Sequence, residues 1–207
     1  MIKLSLLSLF IPTFFFVSAT PGLCMTLAMT LGMTIGIRRT LWMMIGELVG
    51  VALVVLATLA GVATIMLSHP ELFLLFKIAG GAYLAFLGIQ LWQSKGGMAI
   101  SQDIQTPLLV SRRQLATQGF VTAVANPKGW AFFIALLPPF VDYQQPIQAQ
   151  VLVLLVVILI LEFICLCIYA SGGKLLSTFL QNRANVKTLN KIAGSLMIGV
   201  ATWLAFG

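Results

Sequence analysis

Acidic side chains are nearly missing from this chain. Only five Asp and Glu stand among 207 residues, beside one His and three Cys. Cys24, Cys165 and Cys167 all lie in apolar sequence with no metal-like spacing to His69, so they carry no signal of redox compartment. The His or Asp cluster that a metal-ion carrier would want is missing as well. Polar sequence is equally scarce: 8% of residues are charged, and the one stretch polar enough to be a linker is Ala99 to Arg113, which contains Pro107. Nothing here can form the solvated surface of a soluble domain.

What remains is apolar. With 60% hydrophobic residues and a mean hydropathy of +1.05, the chain has lipid as its main solvent. At about 20 residues per crossing, its length allows about six spans with short connections. Any chemistry must therefore sit inside the membrane. The excess of Lys and Arg, 12 against 5 acidic residues, would suggest nucleic acid in a soluble protein; here it sets orientation, and no nucleic-acid partner is expected.

Leu4 to Ile37 is apolar for 34 residues, roughly 50 Å as one straight helix, against a hydrocarbon core of about 30 Å. Pro21-Gly22 supplies the break this length demands, giving half-helices over 4–19 and 22–36. Met1 to Ala19, with its single Lys and its Val17-Ser18-Ala19 ending, has the outline of a cleavable signal peptide. It is expected to be retained, because its counterpart lies mid-chain and its removal would strip the first break of its leading half. Further spans are expected over Thr40 to Leu67, Leu72 to Trp92, Leu115 to Val141, Ile147 to Leu176 and Leu189 to Phe206, with turns at Ser68-His69-Pro70 and Asp142 to Pro146.

Three features occur twice in the same order. Ala19-Thr20-Pro21-Gly22 is echoed by Ala125-Asn126-Pro127-Lys128, the prolines 106 residues apart; Glu47 and Glu162 are 115 apart; Lys77-Ile-Ala-Gly80 returns as Lys191-Ile-Ala-Gly194, 114 apart. One unit is used twice: residues 1–97, a linker over 98–113, and residues 114–207. The second unit has nine more residues between its break and its glutamate, placed around Pro138, Pro139 and Pro146.

Arg38-Arg39, Lys95 with Arg112-Arg113, and Lys174 to Lys191 follow the odd spans, while the turns after spans 2 and 4 carry no Lys or Arg. Odd loops are therefore cytoplasmic and both termini outside. Were each broken segment a re-entrant hairpin, the cluster at 174–191 would fall on the side opposite Arg38-Arg39, so crossing helices are favoured. Three spans per unit is an odd number, which turns the second unit upside down relative to the first. The expected fold is an all-α integral membrane protein of six helices in two inverted three-helix repeats, with helices 1 and 4 broken at Pro21 and Pro127.

A broken helix in lipid leaves N–H and C=O groups that only protein or a wet cavity can satisfy. The plainer reading of one proline is a kink that shapes packing; two at matched positions point to a cavity. Half-helix starts at Gly22 to Met25 and Lys128 to Ala131 aim amide donors and a positive dipole end into it, suited to a carboxylate. Glu47 and Glu162, buried in apolar sequence, must be protonated, paired or wet. They read as a proton- or cation-binding pair with Lys128 as counter-ion; the structural alternative is a salt bridge from Lys128 to one of them. Lys77 and Lys191 are expected to snorkel, and Gly46, Gly50, Gly80, Gly81 and Gly88 to serve close helix packing.

At these residues the sequence resembles the LysE/RhtB family of bacterial amino-acid exporters. The carrying stretches are Ala19-Thr20-Pro21-Gly22, Gly46-Glu47-Leu48-Val49, Phe76 to Gly88, and Gly119-Phe120 through Asn126-Pro127-Lys128 to Leu137-Pro138, together covering almost the whole chain. The resemblance implies a six-span inner-membrane exporter of amino acids or related small polar metabolites, driven by the proton gradient. It departs from the family pattern in two places: Leu23 and Cys24 stand where Pro and Asn usually follow the first Pro-Gly, and Glu47 where Asp is common. Pro21, Gly22, Cys24, Asn126, Pro127 and Lys128 are then the expected substrate site, with Glu47 and Glu162 coupling protons. No cofactor, metal or enzymatic activity is implied, and the oligomeric state, monomer or homodimer, is left open. Two rivals remain: a thiol-disulfide electron carrier using Cys24, which lacks a second cysteine near Trp130 at the matching break, and a metal-ion exporter on a similar scaffold.

Overall fold

A computed structural model of the chain describes residues 4–68, 72–94, 110–142 and 145–206, and all of its regular structure is helical. The first apolar run forms α1 (Leu4–Ala19) and α2 (Leu23–Ile35), bent by 58° at the intervening residues. Pro21 has no N–H to continue the ladder and its ring clashes with the preceding turn. Thr20 instead turns both its N–H and its hydroxyl back onto Val17 O, at 3.3 and 2.6 Å.

The second span starts earlier than expected, at Ile37, as the 32-residue α3 (Ile37–Ser68). The reason is Gly36, whose φ of 79° lies in the left-handed region that only glycine enters cheaply. There α2 stops and the chain turns directly into the next helix. After α4 (Leu72–Gln93), α5 (Arg112–Val124) begins with a capping box in which Ser111 and Gln114 satisfy each other's backbone N–H groups. Following the second break, α6 (Pro127–Leu136) takes its proline at the first helical position, where the missing N–H costs nothing.

A 3-10 turn at Pro138–Phe140 leads toward α7 (Ile147–Ser171). Expected to reach Leu176, this helix ends instead at the Gly172-Gly173 pair, and a short α8 (Gly173–Gln181) follows. The last helix, α9 (Arg183–Phe206), starts six residues before the expected Leu189 because the Asn182 side chain accepts the Ala184 N–H at 3.0 Å and caps it. The expected turn at His69, the last residues of the first unit (95–97) and most of the linker (98–109) lie outside the described residues.

Packing is reciprocal between the two parts of the chain. The halves α1 and α2 lie on α7, while α5 and α6 lie on α3, and α4 pairs with α9. Gly46 and Gly119 let α3 and α5 touch backbone to backbone: a Cβ on Gly46 would strike Ala116 O, and one on Gly119 would strike Met43 O. Two apolar clusters result. One gathers Phe10, Phe14, Leu84, Phe133, Leu137 and Phe140, with Phe10 edge-on to Phe140 at 5.1 Å; the other gathers Met25, Leu31, Met43, Leu115, Leu166 and Val186.

The outer surface is apolar as well. Leu152 and Ile160 on α7, Val49 on α3 and Ile78 and Phe86 on α4 are all more than half exposed. In water such a belt would drive aggregation; in a bilayer it is the solvated face. Among the described residues, Ile37–Gly61 and Ile147–Ser171 are each long and apolar enough to cross a membrane, and α1 with α2 makes a third such span if counted as one. The protein is a multi-pass membrane protein.

Candidate functional site

Both helix breaks open onto one cavity of about 360 Å³. It is lined by Pro21, Gly22 and Cys24 from the first break, Asn126 and Pro127 from the second, Glu47 from α3 and Glu162 from α7. The structure therefore brings seven of the eight expected site residues to one place. The eighth, Lys128, begins α6 beside them, but its side chain lies outside the described residues.

Each break is held by a side chain that sequence reasoning missed. Ending α1 at Ala19 frees a carbonyl, and the Tyr169 hydroxyl from α7 donates to it at 2.8 Å. Ending α5 frees Val124 O, which accepts the Trp130 indole N–H, also at 2.8 Å. Such partners are what a broken helix at membrane depth requires. On the other side of each break the new helix starts afresh: Thr26 N–H returns to Gly22 O at 2.9 Å, and Gly129 N–H to Asn126 O at 3.1 Å. The N–H groups ahead of Thr26 have no intrahelical acceptor, so the positive end of α2 faces the cavity.

Glu47 is 1% exposed, and neither carboxyl oxygen has a hydrogen-bond partner among the described residues. Glu162, from the opposite helix, accepts the Ser18 hydroxyl. The two carboxyl groups lie near enough to interact, with the Cys24 thiol beside Glu47 and the Asn126 amide beside Cys24. Two carboxylates in one largely apolar cavity repel, and burying even one as an isolated ion is costly, so a proton or a cation must share the site with them. Apart from Ser18 and Thr20 beside the first break, the rest of the wall is apolar, with Val51 and Val54 on α3, Phe14 on α1, and Phe132 and Phe133 on α6. The arrangement can hold a carboxylate at a helix start, a cation at the glutamates and an apolar group between them.

Ser18 is one turn before the break and Tyr169 two turns after Glu162, so each shares a helix face with a residue already singled out. That periodicity is the signal that could have found them. Away from the cavity, Lys191 rests over the Trp92 ring at 4.5 Å.

The chain is similar to several known proteins. A homoserine/homoserine lactone efflux protein of Salmonella typhi is 34% identical over 145 residues, covering 70% of this chain and 69% of the relative. A leucine efflux protein of Salmonella choleraesuis is 25% identical over 166 residues, 77% of this chain and 76% of the relative. An uncharacterized membrane protein of Vibrio cholerae is 27% identical over 168 residues, 81% and 80% respectively. No solved structure matches. The sequence pattern of LysE type translocators matches residues 15–207, and the chain belongs to the LysE type translocator family.

Proposed function

We propose that the protein exports amino acids, or closely related small polar metabolites, across the bacterial inner membrane in exchange for protons. The observation that carries this reading is the meeting of two helix breaks and two buried glutamates in one cavity. The substrate carboxylate sits at the half-helix starts of α2 and α6, where N–H groups and dipole favour an anion. Its ammonium takes the place of the proton held by Glu47 and Glu162, so that one leaves as the other arrives and the cavity never carries both. Lys128 balances the remaining charge.

Six spans in two inverted repeats provide the frame for alternating access. The reciprocal packing of α1 and α2 on α7, and of α5 and α6 on α3, supports that arrangement. The apolar wall of Val51, Val54, Phe132 and Phe133 suits a substrate with an aliphatic side chain, and the relatives' names, homoserine and leucine efflux, fall in the same chemical class.

A growth screen tests the reading. An expressing strain is challenged with a panel of amino acids and toxic analogues, with Glu162→Gln and Lys128→Ala in parallel. Resistance to one chemical class, lost in both variants while each still reaches the membrane, is expected. Resistance undiminished in both variants would remove the site.

A further inference from the structure

Glu47 from α3 and Glu162 from α7 line the central cavity, and their carboxyl groups come within hydrogen-bonding reach of each other. Two ionised carboxylates offer each other no donor, so this contact becomes a hydrogen bond only when one of the two carries a proton. The chain treats the two groups differently. Glu162 accepts the Ser18 hydroxyl from α1. Glu47 is 1% exposed and, among the described residues, neither of its oxygens has a hydrogen-bond partner.

Ser18 gives up a local bond to make that contact. A hydroxyl inside a helix ordinarily turns back to the carbonyl one turn earlier, as Thr13 does on the same helix, donating to Leu9 O at 2.8 Å, and as Thr26 does on α2, donating to Gly22 O at 2.8 Å. Ser18 reaches across to α7 instead. The neighbouring hydroxyls at the first break go to backbone, Thr20 to Val17 O and Tyr169 to Ala19 O. The thiols beside the pair, Cys24 at Glu47 and Cys165 near Glu162, are weak donors. A donor aimed at a carboxylate favours the charged form, whereas a buried carboxyl group without one is least costly when neutral.

We propose that Glu47 carries the proton of the pair and Glu162 is its standing anion, an order set by Ser18 as a positioning residue. The Glu47 O–H donates to the Glu162 carboxylate, which also receives the Ser18 hydroxyl, so the pair holds one proton and one negative charge. The inference rests on the proton-exchange reading above and assigns its proton to one residue. When a substrate ammonium enters, the proton leaves Glu47 for water, and one positive charge replaces another between the two carboxylates.

Infrared spectroscopy of the purified full chain at neutral pH, in a detergent without ester or acid groups, detects a protonated carboxyl group by a C=O stretch that a carboxylate lacks. One such band is expected in the unmodified protein and is lost in Glu47→Gln. Ser18→Ala should lower its intensity about twofold or more, by letting the proton pass to Glu162 at a second frequency, and Ser18→Thr, which keeps the hydroxyl, should restore the single band. No band in the unmodified protein, a result that needs no variant, overturns the proposal. So does a band that survives Glu47→Gln, which places the proton on Glu162, and a band that Ser18→Ala leaves unchanged removes the role of Ser18. Failure of the exchange reading shows elsewhere: vesicles in which amino acid moves without protons would retire that reading while the band on Glu47 stands.

Discussion

Replacing Tyr169 by Phe isolates the contact that makes the first helix break tolerable. Tyr169 is 3% exposed, and its hydroxyl is the donor to Ala19 O at 2.8 Å. The neighbouring donors are already committed: Thr20 N–H and hydroxyl both go to Val17 O, and Pro21 has no N–H. With the hydroxyl gone, the carbonyl has no replacement partner, and an unsatisfied buried polar group costs about 1–3 kcal/mol. Each kcal/mol moves Tm by about 2–4 °C in a chain of this size, so a fall of roughly 3–10 °C is expected in detergent, read from tryptophan fluorescence. Trp130→Phe, which frees Val124 O, should act in the same direction at the second break. Tyr83→Phe is the control: that residue is 36% exposed on α4, and its loss should change stability by less than about 0.5 kcal/mol. Were Tyr169→Phe as stable as the control, the claim that interrupted helices here need dedicated partners would be refuted.

Three further outcomes follow from the same geometry. Gly119→Val pushes side-chain atoms into Met43 O at the α3–α5 crossing and should destabilise by about 2 kcal/mol or more, whereas Gly61→Ala, with nothing within 4 Å, should not; thermal unfolding separates them. Val51→Ala shortens the apolar wall of the cavity, and competition between leucine and phenylalanine for export should shift about tenfold toward the larger side chain. Glu47→Gln replaces a carboxyl that has no hydrogen-bond partner among the described residues by a neutral amide of the same shape; export should fall at least hundredfold, about 2.7 kcal/mol, while Tm stays within a few degrees.

Much of this architecture is legible in the sequence because its signals are local. A proline in a run too long for the bilayer marks a break by itself, and α1 and α2 meet within a residue or two of where Pro21-Gly22 puts the break. Glu47 and Glu162 stand out for the same reason, as charges in apolar surroundings. Boundaries set by backbone conformation are harder to read: α2 ends where the sequence puts it, beside Gly36, but nothing in the apolar pattern announces that the positive φ of Gly36 lets α3 start at Ile37 and not at Thr40. The Gly172-Gly173 pair, with Lys174 after it, is a visible stop signal, yet the leucines at 175 and 176 carry the expected span past it. Least legible are the partners of the breaks, since Tyr169 meets Ala19 across 150 residues of sequence. The seven-residue spacing from Glu162 puts Tyr169 on the cavity face, but which carbonyl it meets is decided only when the helices are packed. The close approach of α3 and α5 is half visible: Gly46 and Gly50 announce a packing face, but only the fold supplies Gly119 as its counterpart.

Purified protein reconstituted into vesicles, with labelled amino acid on one side and a pH-sensitive dye enclosed, measures substrate and proton movement together. Coupled movement of both in the unmodified protein, and of neither when Glu47→Gln and Glu162→Gln are combined, is the predicted result. Amino-acid transport that persists in the double variant, with or without proton movement, would contradict the role of the paired carboxylates in the cavity.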